Sequence, residues 1–143
     1  MRTDAKVANT MTPEERRRFL EGHRLAIVGV ERKGRTPHLS PVYYVLDGDD
    51  LLISVTNART KTGLVRKRGR LSLCVLHEAF PCPYLRVEGS ARIDNDGAVD
   101  VLMAIAQKMS GDPVPESMRP AFEERARTEQ RVVLRLTPET YYP

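Results

Sequence analysis

Residues Tyr84 to Ile93 alternate strictly, with Leu85, Val87, Gly89, Ala91 and Ile93 set against Arg86, Glu88, Ser90 and Arg92. Apolar groups at every second position describe a strand with one buried and one wet face. Other short apolar runs surround it, several of them closed by turn chemistry. Leu25–Glu31 runs into Arg32-Lys33-Gly34-Arg35, and His38–Leu46 runs into Asp47-Gly48-Asp49-Asp50. Leu51–Val55, Leu71–Leu76 and Arg131–Thr137 complete the set. The first three runs read as a meander, and Pro41 marks the second as an edge or a bulge. Short strands on tight turns predict antiparallel pairing in a closed or half-closed barrel of six strands, not a doubly wound sheet.

The helices are fewer and shorter. Thr12-Pro13-Glu14-Glu15 is a start signal, with Thr12 as cap, Pro13 in the first turn and Glu15 completing a capping box; Gly22 stops the helix. Ala98–Met109 carries Val101, Leu102, Ile105 and Met109 along one side. After Gly111-Asp112-Pro113-Val114-Pro115, a more polar helix runs from Glu116 or Pro120 to Thr128. The fold class is therefore mainly β with short helices. The 143 residues suit one domain, 1–143, with the polar Met1–Met11 as a loose tail.

Charge and cysteine content narrow the classes. Lys plus Arg number 23 against 19 Asp plus Glu, a net charge of +4. That excess is too mild for a dedicated DNA binder, so phosphate-bearing partners fit and bulk nucleic acid is not expected. No apolar run is long enough to span a bilayer. Two cysteines, Cys74 and Cys82, and no secretory apolar core near Met1 make the cytoplasm the expected compartment.

Most of the basic excess sits in one place. Arg59-Thr60-Lys61-Thr62-Gly63-Leu64-Val65-Arg66-Lys67-Arg68-Gly69-Arg70 holds six basic residues and no acid. It lies between two strand-like runs. A helix from about Lys61 to Lys67, with Thr60 as N-cap and Gly69 as stop, fits the gap. Arg59, Thr60, Lys61 and Thr62 then crowd a helix N-terminus, where free N–H groups and the helix dipole favour an anion. Three readings are open: a solvated basic helix, a nucleic-acid patch, and a clamp for a cofactor's phosphate. The Arg-Thr-Lys-Thr cluster between strands favours the clamp.

Other constellations carry less. Cys74, His77 and Cys82 supply three soft ligands where zinc takes four in paired spacing. No Gly-x-Ser-x-Gly, Gly-x-Gly-x-x-Gly or Walker loop occurs. A small barrel has little interior room, so a ligand is expected in a surface groove completed by a second copy of the chain.

Three stretches carry a resemblance. Gly34–Tyr44, Ala58–Arg70 and Leu85–Ala91, in this order and spacing, resemble the pyridoxamine 5'-phosphate oxidase-like, FMN-binding split β-barrel proteins. More narrowly they are similar to the actinobacterial branch that uses the deazaflavin F420. The resemblance implies a homodimeric oxidoreductase with the ring in a groove between subunits. It implies F420 as cofactor, with FMN as the alternative, and hydride transfer to a small conjugated organic substrate; a carrier without catalysis is the other outcome. Carried onto this chain, Arg59, Thr60, Lys61 and Thr62 would hold the phosphate. Ser40, Pro41, Val42 and Tyr43 would line the ring edge, with Val55 and Thr56 beside the ribityl chain. No catalytic side chain is assigned; Tyr43, Tyr44 and His38 are the acid–base candidates. Leu64 stands where many relatives have Asn, and Arg68-Gly69 where they have Asp-Pro. The added charge would suit the acidic tail of F420.

Overall fold

The computed structural model describes residues 11–142. The expected tail, residues 1–11, lies outside them except for Met11, whose carbonyl accepts from Arg16 Nη1 at 3.1 Å. Helix α1 is Pro13–Gly22, and strands follow at β1 Leu25–Arg32, β2 Arg35–Tyr43, β3 Val45–Asp47 and β4 Asp50–Thr56. Helix α2 is Thr60–Arg68, followed by β5 Arg70–Leu76 and β6 Tyr84–Asp94. Helix α3 is Ala98–Ser110; a single 3-10 turn, Glu116–Met118, leads into α4, Arg119–Thr128, and β7, Arg131–Tyr142.

All the strands pair antiparallel in one sheet, in the order β2-β1-β5-β6-β7-β4-β3. The expected count of six becomes seven because His38–Leu46 is not one strand. It breaks at Tyr44, which is fully buried and whose hydroxyl donates to the Leu20 carbonyl at 2.6 Å. A buried phenol must keep a partner for its O–H, and Leu20 provides it at the end of α1. The break lets the chain leave β1's edge as β2 and rejoin the far edge as β3. The expected meander is therefore also corrected: β4 pairs with β3 and β7, not with β2. The sheet curls until β2 approaches β4, and the opening between them is the split in the barrel.

The alternation in β6 appears as expected, with Leu85, Val87, Gly89 and Ala91 buried. Inward residues of β1, β4, β5, β6 and β7 meet α1's Leu20 and α2's Val65 in the main core. A second cluster, Val45, Leu52, Val101 and Val133, seats α3 on the opposite side of β4 and β7. Strand β7 runs past the expected Thr137 to Tyr142, with its ladder to β6 slipping between Glu88 and Gly89. Gly89 is required there: a Cβ would overlap the Thr137 carbonyl.

Among the described residues no helix is long and apolar enough to cross a membrane.

Candidate functional site

The basic stretch folds as α2, and its start differs from that of α1. Thr12 caps α1, its Oγ1 accepting from Glu15 N–H at 3.1 Å. The residue at the corresponding position of α2 is Arg59, not the expected Thr60, and no side chain caps it. The helical bonding begins with Gly63 N–H donating to Arg59 O at 3.2 Å. The N–H groups of Thr60, Lys61 and Thr62 therefore point out of the helix start without a capping acceptor. No acid lies in the first turn, and Gly69 closes the helix in the left-handed conformation, its N–H donating to Val65 O.

Thr62 turns inward. It is fully buried, and its hydroxyl donates to Thr56 O at 2.8 Å, tying α2 to the end of β4. That hydroxyl positions the helix start instead of facing an anion. Lys61 leans the other way, across the split, and its Nζ donates to Ser40 Oγ on β2 at 3.3 Å. Its ammonium is half-buried and has no carboxylate partner among the described residues. Burial, and then the neighbouring charges of Arg59 and Arg131, hold its pKa below the ordinary lysine value. A half-buried cation, short of anions and beside uncapped helix N–H groups, has the donor set a phosphate takes.

The fold sorts the other predicted residues by strand parity. Ser40 is half-buried and Val42 buried, whereas Pro41 and Tyr43 are exposed. Side chains of all four do not share one face; their common feature is the β2 backbone. Val55 is buried in the core and Thr56 half-buried beside the helix start. Tyr44 is withdrawn from any acid–base role: its hydroxyl is committed to Leu20, and burial raises its pKa well above the ordinary value. Tyr43 lines a separate cavity of about 580 Å³ with His23, His77 and Lys108. His77 and His23 meet edge-on at 5.5 Å between ring centroids. The Cys74, His77 and Cys82 ligands do not converge, and no cluster of three possible metal ligands occurs among the described residues.

Two residues absent from the sequence-derived set stand at the site. Arg131, the first residue of β7, lies opposite Thr56, and its Nη1 donates to Ser54 Oγ at 3.5 Å. Seventy positions separate Arg131 from Lys61 in the sequence, so no local pattern links them. The only available signal was a basic residue opening an apolar strand.

Solved structures with this fold are numerous. A conserved hypothetical protein of Mycobacterium tuberculosis superposes with a TM-score of 0.81 at 17% identity, covering 92% of this chain and 83% of that one. A protein described as an F420 reductase gives 0.70 at 21% identity, covering 91% and 98%. A FAD-binding protein from Mesorhizobium loti gives 0.63 at 16% identity, covering 92% of each. At such identities the likeness establishes the split-barrel fold. Among curated proteins no sequence matches. The sequence profile of the pyridoxamine 5'-phosphate oxidase family matches residues 12–143, nearly the whole chain. With the split barrel and the uncapped, cation-rich start of α2 both in place, the chain belongs to the pyridoxamine 5'-phosphate oxidase family, whose members bind flavin-type cofactors and include oxidoreductases.

Proposed function

We propose that this chain is an F420-dependent oxidoreductase that reduces a small conjugated organic substrate. The observation that carries the proposal is Lys61: a half-buried ammonium, bonded to Ser40, beside a helix start with no cap of its own. Arg59, Lys61 and the N–H groups of Thr60, Lys61 and Thr62 hold the phosphate. Ser40 orients the ammonium, and Thr62 fixes the helix start against β4. Thr56 and Val55 lie along the ribityl chain, and the β2 backbone from Ser40 to Tyr43 follows the ring edge. When bound, the reduced deazaflavin supplies the hydride; the chain supplies position and a water-poor, cationic setting. Arg66, Lys67 and Arg68 continue the basic surface along α2, and none forms an ion pair among the described residues, which suits an acidic tail beyond the phosphate. FMN presents a phosphate to the same clamp and is the second cofactor to test.

The ring is proposed to lie between two copies of the chain. Within one copy the cavities of about 680 and 580 Å³ are lined by other residues and lie away from the start of α2. The outer face of β2, β1, β5 and β6 leaves Leu39, Tyr43, Leu25 and Tyr84 exposed, and Leu25 lies opposite Tyr43 in the ladder. That apolar face is what a second copy would cover.

The test is a titration of F420 and of FMN against wild type and Lys61→Ala. A charge-assisted hydrogen bond of about 1.5–3 kcal/mol predicts a loss of roughly tenfold or more for at least one cofactor. Equal affinities in the two proteins would remove the clamp. Binding without turnover of a reducible acceptor would make the chain a carrier.

A further inference from the structure

Arg131 is placed by the ladder and not by its neighbours in sequence. It lies opposite Thr56, and the strand end is pinned by Asn57 N–H donating to Gln130 O at 2.9 Å. Thr56 O in turn anchors Thr62 at the start of α2. The Arg131 side chain as a whole is only 18% exposed. It gives Nη1 to Ser54 Oγ at 3.5 Å and Nε to Glu129 Oε1 at 2.9 Å, and Nη2 has no acceptor among the described residues. Glu129 is shared, because Arg125 Nε donates to the same oxygen at 3.0 Å. Three cations, Arg59, Lys61 and Arg131, thus converge on one end of the split with a single divided carboxylate between them. Lys61 and Arg131 are half-buried and Arg59 is exposed, and like charges held together in this way are unfavourable until an anion sits among them.

We propose that Arg131 is the third cation of the phosphate clamp and makes it selective for a phosphorylated ring over the same ring without phosphate. This rests on the clamp reading of Lys61 and adds a residue from the opposite end of the chain. Glu129 on Nε and the long contact of Nη1 with Ser54 hold the guanidinium near the site, and Nη2, with the second N–H of Nη1, meets the phosphate oxygens. A planar fork suits two phosphate oxygens better than a point charge does.

The experiment compares FMN with riboflavin, which lacks the phosphate, in wild type, Arg131→Met, Arg131→Lys and Lys61→Ala. Should wild type take F420 alone, the ratio is read for F420 against its ring–ribityl fragment. In Arg131→Met the preference for the phosphorylated ligand should fall by about tenfold, the worth of a hydrogen bond to a charged group, while riboflavin affinity stays put. Arg131→Lys, which keeps the charge and loses the fork, should fall between wild type and Arg131→Met. A second readout needs no cofactor: the Lys61 ammonium, followed by NMR, should titrate at higher pH in Arg131→Met. An unchanged ligand preference in Arg131→Met beside a lost one in Lys61→Ala overturns the role of Arg131 and leaves the clamp standing. No phosphate preference in wild type overturns both.

Discussion

Strand β7 carries two half-buried arginines on one face, Arg131 and Arg135, in opposite surroundings. Arg135 is met by three carboxylates: Asp47 and Asp50 at 2.9 Å and Asp94 at 3.1 Å. These come from β3, β4 and β6, so one guanidinium ties the β3–β4 hairpin to the β6–β7 ladder. Hydrogen bonds to these acids push its pKa further above the ordinary value, despite burial. At the start of the strand, earlier on the same face, Arg131 shares one carboxylate and stands near Lys61, which has none among the described residues. Arg135 shows what a cation looks like when it serves the fold: its charge is fully answered within the chain. The cations around Lys61 are left unanswered, and that shortfall marks a place for an outside anion.

Gly89→Ala should break both sites together, and with the largest effect. The new methyl would overlap the Thr137 carbonyl, which belongs to the strand holding both arginines. A backbone clash that cannot be relieved by a rotamer change is expected to cost upwards of about 3 kcal/mol. Urea unfolding should show it, and wild-type stability in this variant would mean that the β6–β7 ladder yields more than its register implies.

The next pair of variants separates the two regions. Arg135→Met takes away the ion-pair partner of Asp47 and Asp50 and leaves Asp94 with Arg92 alone, so a loss of about 2 kcal/mol of stability is expected. Lys61→Ala should leave stability unchanged or slightly higher, because it removes a desolvated, repelled charge. Denaturation curves that rank the two variants the other way round would reverse the assignment of structural and functional cations.

The smallest effect is in pH dependence, and its sign differs between the regions. Burial works against ionisation of Asp94, but hydrogen bonds from Arg92 and Arg135 outweigh it and hold the carboxyl below its ordinary 3.8. Its contribution is therefore fully present above that value and is lost as pH falls through the lower, folded one. Lys61 is depressed below its ordinary 10.5, so its charge opposes folding at neutral pH. That cost is relieved as pH rises from the folded value towards 10.5. The stability gap between wild type and Arg135→Met should shrink below about pH 4, and any gap in favour of Lys61→Ala should close in alkali. Parallel pH profiles for all three proteins would contradict this.

A third solution to a buried charge appears at Lys108. Its ammonium donates to Leu20 O and Tyr44 O, each at 3.2 Å, and lies 3.9 Å over the Tyr44 ring. Burial brings its pKa down to about 8. Carbonyl dipoles and an aromatic face take the place of a carboxylate there, and the same Tyr44 is where the chain crosses from one sheet edge to the other.

Sequence alone determined what depends on neighbours. Thr12 and Pro13 set the start of α1, and the alternation in Tyr84–Ile93 set the buried face of β6, because caps and period-two patterns act over a few residues. Helix α2 and its cluster of cations were legible for the same reason. Beyond the hairpin turns at Lys33-Gly34 and Gly48-Asp49, tertiary structure alone decided which strand pairs with which. Tyr44 reads as one more strand residue until Leu20 is known to lie beside it, so the seventh strand and the barrel's split were hidden. Likewise only the β4–β7 ladder brings Arg131 to Thr56 and Ser54, and only the curl of the sheet brings Ser40 to Lys61. Local signals fix an element and its faces. The charge left unpaired at a site depends on the whole set of groups that folding brings around it.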